Sequence, residues 1–327
     1  MEEFEIIDIH IHLAPTKEKE RIYYPFSGRR DQDRWSTPER MIEYMDRNNV
    51  LKSAFMILVP RLHRGYLSEK AKIWELPEEE RQEWKENIRQ QLGPIIREIN
   101  EWGCSIGRKF PRLLPFIFIS DDLAGSEAIV EEVALRASQG AKGIKMHPGM
   151  FHHYPDDEIF WPMYEKCQEL GMPILSDSGP WPTSNIVLMY PSYLGYEPCE
   201  NERNYGEPKN WVKVLEAFPN LTLIMAHLGS AWWDERVELA QKYPNVYFDT
   251  SQGFSAPDQL PFIPRRSLAE EDALRILRKI GVDRIMFGTD MPALALQPQI
   301  DQMLRLRLTD EEKRMILSGN AKRILKI

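Results

Sequence analysis

The chain has 327 residues, 43% of them hydrophobic and 28% charged, a balance ordinary for a globular protein with a sizeable core. Its formal net charge of −8 argues against nucleic acid and anionic membrane surfaces as partners and leaves a small molecule as the expected one. The three cysteines, Cys104, Cys167 and Cys199, show no CxxC spacing, residues 1–5 are acidic with no apolar leader, and no apolar stretch approaches about 18 residues. A disulfide framework, a cysteine-based zinc site, a signal peptide and a membrane span are therefore not expected, and the cytoplasm is the expected location.

Eight short apolar runs bounded by turn residues stand out, with helical patterns between most of them. The first run is Glu5 to His12. A helix is predicted over Pro38 to Asn48, with Thr37 as N-cap and Pro38 in the first turn. The second run, Lys52 to Val59, precedes a long segment, Pro60 to Pro111, charged and helical in pattern, with Trp74, Trp84 and Trp102. The third run, Leu113 to Ser120, is followed by a predicted helix Ser126 to Ser138 that Gly140 stops. The fourth run, Ala141 to His147, leads to a helix Phe160 to Leu170 ended by Gly171, and the fifth run is Met172 to Asp177. A second long segment follows, Ser178 to Asn210, rich in Pro, Tyr and Trp, and then a helix Trp211 to Phe218. The sixth run, Leu221 to His227, precedes a helix Trp233 to Lys242, and the seventh is Val246 to Ser251. A helix Leu268 to Ile280, ended by Gly281, precedes the eighth run, Arg284 to Asp290, and Thr309 to Leu325 supplies closing helices.

Near-continuous apolar strands alternating with helices define an α/β protein with a buried parallel sheet. Eight strands close into a (β/α)8 TIM barrel, one domain over residues 1–327, with long insertions after strands 2 and 5. The alternative, an open doubly wound sheet, is weakened by the absence of a Gly-rich phosphate turn after the first run. In a barrel the segments after strands line the catalytic face, so both insertions read as lids or dimer contacts.

Ionisable residues end several of the apolar runs, and burying them is costly unless they are paired or bind a metal. In the first run, alternation places Asp8, His10 and His12 on one face and Ile7, Ile9 and Ile11 on the other. Two histidines at i and i+2 can chelate a divalent ion, with Asp8 deeper and orienting a ligand, although an alternating surface strand would look the same. Lys145 and His147 share a face at the end of run four, His227 ends run six and Asp290 ends run eight. Taken singly, each has a plainer reading: an ion-pair partner, a hydrogen-bonded core histidine, a helix N-cap. Four such endings on one face of a barrel are harder to explain in that way. Elsewhere, Arg61 and Arg64 are candidates to grip a substrate carboxylate, and Tyr66 and Trp181 to wall the pocket. His63, His152 and His153 are expected in loops, solvated or beside the substrate.

The segments IIDIHIH (Ile6 to His12), GAKGIKMHP (Gly140 to Pro148), LGMPILSDSG (Leu170 to Gly179), LIMAHLGS (Leu223 to Ser230) and IMFGTDMP (Ile285 to Pro292) resemble the amidohydrolase superfamily. The resemblance is to the amidohydrolase-related group that includes the aminocarboxymuconate-semialdehyde and γ-resorcylate decarboxylases, and it runs through nearly the whole chain. It implies a divalent metal, zinc with manganese as the alternative, held by His10 and His12 with Asp290, and an acid or base role for His227. Lys145 and His147 fall on the family's strand-four positions, and a homo-oligomer, a dimer, is the implied assembly. At strand five the family's metal-binding histidine is replaced by Asp177. Asp177 is then a fourth ligand, or it pairs with Lys145 while His147 serves the metal, or Lys145 is carbamylated as in binuclear relatives. The expected reaction is hydrolysis of a small ester, lactone or amide by a metal-activated water, with Asp290 taking the proton and His227 stabilising the oxyanion. The alternatives are non-hydrolytic decarboxylation of a small aromatic or unsaturated acid, and a metal-free barrel with no catalysis.

Overall fold

Each of the eight apolar runs forms a strand, and the strands pair in parallel in chain order. They are β1 (Ile6–His12), β2 (Val50–Met56), β3 (Leu113–Phe118), β4 (Gly143–Met146), β5 (Ile174–Ser176), β6 (Leu223–Met225), β7 (Val246–Asp249) and β8 (Ile285–Met286). The description comes from a computed structural model and covers residues 4–23, 36–57, 76–151, 153–179, 204–228, 232–251, 270–292 and 295–327. Backbone bonds between the first and last strands close the sheet: Ile9 N donates to Phe287 O at 2.9 Å, Asp290 N to His10 O at 2.7 Å and His12 N to Met291 O at 2.7 Å. The chain is therefore a closed (β/α)8 barrel. The two longest connections follow β2 (Met56 to Leu113) and β5 (Ser176 to Leu223), and the first carries a 32-residue helix, Glu78–Lys109.

Two apolar clusters separate the inside of the barrel from its jacket. The inner one takes Ile7 and Ile9 from β1, Ala54 and Met56 from β2, Phe116 from β3, Leu175 from β5, Ile224 from β6 and Met286 from β8, and Ala321 and Leu325 of the last helix pack into it. The outer one joins the alternate strand residues, such as Ile144, Ile174, Leu223 and Phe248, to helix residues such as Met45, Val133, Met163 and Leu277. Gly143 lies on the inner face, where a Cβ would overlap the Phe116 ring, so glycine makes room for the aromatic inside the barrel. No helix among the described residues is long and apolar enough to cross a membrane.

Three sequence expectations need correcting. Ile7 and Ile9 face the barrel interior, while Ile11 joins the outer cluster. The pairing of β1 with β2 shifts register between Asp8 and Ile11, and that irregularity changes the parity along the strand. Thr37 occupies the N-cap of helix Pro38–Arg47, but its side chain makes no capping bond. Residues 208–211 form a 3-10 turn, Pro208–Trp211, and the α-helix begins only at Val212.

Candidate active site

The end of β1 and the turn after β8 bring His10, His12 and Asp290 together. Asp290 Oδ1 is 2.9 Å from His12 Nε2 and 3.7 Å from His10 Nε2. All three residues are buried, and one donor atom from each lies within 4.8 Å of the others. Behind them, His10 Nδ1 is 2.7 Å from Asp249 Oδ2 at the end of β7. A carboxylate there fixes the proton on Nδ1 and turns the Nε2 lone pair toward the cluster. Burial pushes His10 down to about 4, and the Lys145 charge acts in the same direction against the pull of Asp249. Burial likewise lowers His12, although its bond to Asp290 opposes the change. Burial alone would raise Asp290, but the His12 hydrogen bond and the neighbouring imidazoles hold it far below the usual carboxylate range.

Two neutral imidazoles and an ionised carboxylate are the donor set a first-row divalent ion requires. Ligands about 2.0–2.2 Å from an ion stand about 3–3.5 Å from one another, so the observed separations fit a metal with little adjustment. His10, His227 and Asp249 also cluster, but that group reuses His10 through the bond just described.

The backbone is strained where the site needs it. His227 (φ 63°) and Asp290 (φ 60°) both adopt left-handed conformations unusual for residues with a Cβ. Ile224 on β6 and Ala226 just past it face inward, so plain alternation would send His227 out of the barrel, and the left-handed turn brings its ring back. The ring stacks on His10 with centroids 5.1 Å apart, and His227 N donates to Asp249 Oδ1 at 3.1 Å. Gly288 leaves the space behind: a Cβ there would stand 3.0 Å from His10 Cβ and 3.3 Å from Asp249 Cβ.

Asp8 has a different task from the one expected. Its carboxylate accepts from His10 N (3.0 Å), Thr289 N (3.1 Å) and Thr289 Oγ1 (2.6 Å), which ties β1 to the chain after β8. It steadies the backbone under His10, and the orientation of the imidazole belongs to Asp249.

The opposite side of the rim is arranged around Asp177. Asp177 Oδ2 lies 2.9 Å from His227 Nε2 and 3.4 Å from His147 Nε2, and Asp177 Oδ1 accepts from Gly179 N at 3.2 Å. Burial would raise this carboxyl, but His147, His227 and Lys145 hold it well below the ordinary range. His227 Nδ1 is 2.9 Å from Ser251 Oγ, which hydrogen-bonds Asp249. A continuous chain of polar contacts thus runs from His147 through Asp177, His227 and Ser251 to Asp249 and His10. Lys145 is buried on the inner face of β4 with its Nζ 3.4 Å from His10 Nε2, and burial lowers its pKa against the pull of Asp177, Asp249 and Asp290. Every candidate ligand or acid read from the sequence sits at this rim. Asp177 meets both His147 and His227, whereas His10, His12 and Asp290 converge in a cluster of their own.

Asp249, Ser251 and Thr289 escaped the sequence reading. Asp249 carried a usable signal: it closes an apolar run, as Asp290 does, two residues after inward-packed Tyr247. His153, expected in a loop as solvated or beside the substrate, is not solvated: it is 4% exposed with its ring against Phe160. Arg61, His63, Arg64, Tyr66, Trp74, His152, Trp181 and Cys199 lie outside the described residues.

This barrel, with histidines on the first strand and an aspartate after the eighth, defines a class that comparison with known proteins identifies. The chain belongs to the amidohydrolase family, whose model matches residues 7–327. It is 24% identical over 203 residues to a γ-resorcylate decarboxylase of Polaromonas sp., a match covering 53% of this chain and 56% of that relative's length. Among solved structures it resembles a dihydroxybenzoic acid decarboxylase from Polaromonas sp. with bound manganese and the inhibitor 2-nitroresorcinol (TM-score 0.66, 16% identity, 100% of this chain and 97% of that one). It also resembles a 5-carboxyvanillate decarboxylase from Novosphingobium aromaticivorans with manganese and 4-hydroxy-3-methoxy-5-nitrobenzoic acid (TM-score 0.67, 17% identity, 99% and 96%). At these identities the structural likeness speaks for the fold.

Proposed function

We propose that the protein is a metal-dependent decarboxylase of small hydroxylated aromatic acids. The carrying observation is the convergence of His10, His12 and Asp290 at an amidohydrolase rim, beside a second cluster in which His227 meets Asp177. The decarboxylase relatives favour this reading over the hydrolysis that motif reasoning placed first. His10, His12 and Asp290 would hold the ion. Manganese is the proposed metal because both neighbours described above carry it, and the same donors also accept zinc. When bound, the ion supplies a Lewis-acid centre for a substrate oxygen.

The chain's own residues then have separable tasks. Lys145, buried inside the barrel, offers ammonium hydrogens to an anionic oxygen of the substrate. His227 Nε2–H, hydrogen-bonded to Asp177, is placed to deliver a proton to the ring carbon bearing the carboxylate. The C–CO2 bond then breaks, its electron pair returns to the ring, and carbon dioxide leaves, so that RCO2⁻ plus one proton gives RH and CO2. Asp177, with His147 behind it, steadies the imidazole before and after that transfer.

The test is carbon dioxide release after manganese loading, assayed with γ-resorcylate and 5-carboxyvanillate beside a panel of lactones and phenyl esters. The expected result is CO2 from an aromatic acid and no acid release from the esters. Hydrolysis without CO2 would reinstate the hydrolase reading. A chain that retains less than about a tenth of an ion after loading would indicate a barrel without metal chemistry.

A further inference from the structure

Arg236 belongs to helix Trp233–Lys242, yet it is fully buried and reaches beneath the strand ends. Its Nη1 donates to Ser178 Oγ at 3.0 Å and to Ala226 O at 3.4 Å, and its Nη2 donates to Ser178 O at 2.6 Å. Ser178 Oγ in turn donates to Ala226 O at 2.6 Å. These oxygens belong to the residue after Asp177 and the residue before His227. One guanidinium therefore ties the end of β5 to the end of β6, one residue away from each partner of the 2.9 Å Asp177–His227 contact.

Hydrogen bonding to carbonyls does not by itself explain an arginine. Ser178 and Ala226 lie past the ends of β5 and β6, and their carbonyls need donors. A neutral amide would supply donors without the desolvation of a cation. What the guanidinium adds is a fixed positive charge behind two ionised carboxylates. Burial presses Arg236 down to about 10, and Asp177 and then Asp249 oppose the fall, so the group is cationic at neutral pH. The turn 177–179 also packs against Gly206, where a Cβ would overlap the Gly179 carbonyl oxygen. Because Gly179 N donates to Asp177 Oδ1, movement of this turn is movement of the Asp177 carboxylate.

We propose that Arg236 is a positioning residue that holds the Asp177 carboxylate on His227 Nε2, in a turn that Gly206 also contacts. The assignment rests on the role of His227 proposed above, but its geometric content can be tested without turnover. The decisive measurement is the imidazole ¹⁵N spectrum of the zinc-loaded chain labelled at its seven histidines, with the His227 signals identified by their loss in His227→Gln. In Arg236→Met the His227 Nε2 resonance should move while those of His10 and His12 and the metal content stay unchanged, and Arg236→Lys should restore most of the shift. With an aromatic acid that the wild type decarboxylates, Arg236→Met should lower kcat by about tenfold to a hundredfold, the scale of a small misplacement, and leave KM within about twofold. Should Arg236→Met fail to fold, Gly206→Ala presses on the Gly179 carbonyl of the same turn and should move the same His227 resonance. A folded Arg236→Met or Gly206→Ala protein with His227 signals at wild-type positions overturns the proposal, whatever happens to its melting temperature. If the wild type releases no CO2, the reaction fails but the spectrum still decides this point.

Discussion

The two sides of the rim are built from the same residue types and arranged to opposite effect. On the β1–β7–β8 side, Asp249 bonds the far nitrogen of His10, so the near nitrogen presents a lone pair to the space shared with His12 and Asp290. On the β4–β5–β6 side, Asp177 bonds the near nitrogen of His227, and that nitrogen must carry a proton. Under the function proposed above, which nitrogen the carboxylate occupies decides whether an imidazole offers electrons to a cation or a proton to a substrate.

The comparison is broken most severely by removing the convergent carboxylate. Asp290→Asn or His12→Ala should cost the bound metal and lower CO2 release by at least about a thousandfold; elemental analysis and turnover measure both losses. Asp177→Asn should behave differently, keeping a full complement of metal while turnover falls about a hundredfold to ten-thousandfold, the usual share of a general acid. If Asp177→Asn also emptied the site, the two sides would be one ligand set and the division would fail. Asp249→Asn sharpens the contrast further, because it releases the tautomer of His10 without touching a donor atom. Manganese affinity by calorimetry should drop about tenfold to a hundredfold. The smallest effect on the site belongs to Met286→Ala, deep in the inner cluster. Urea unfolding should show a loss of about 2–4 kcal/mol, with manganese affinity within about twofold of wild type.

Much of the barrel was legible because parallel strands covered on both faces read as uninterrupted apolar runs, and all eight fall where such runs lie. Alternation also set Lys145 opposite Ile144 and Met146 of β4, which is regular enough for period two to hold. The same rule failed at β1, where the shift between Asp8 and Ile11 is invisible in a string of isoleucines. It failed again at His227, because a left-handed histidine leaves no mark in composition. The division of labour between Asp249 and Asp177 was out of reach for another reason. Both are aspartates closing apolar runs, and only their distances to particular ring nitrogens separate them.

The last helix carries one more consequence. Among the described residues, Ala321 and Leu325 pack against Ile7 and its neighbours inside the barrel, so side chains of the last helix fill the end away from the rim. In the reaction proposed above, the arriving acid, the departing gas and the proton that refills His227 would then share the rim, one after another. Shared traffic of that kind would make the sequence of departures part of the kinetics, with a slow step in leaving as readily as in bond breaking.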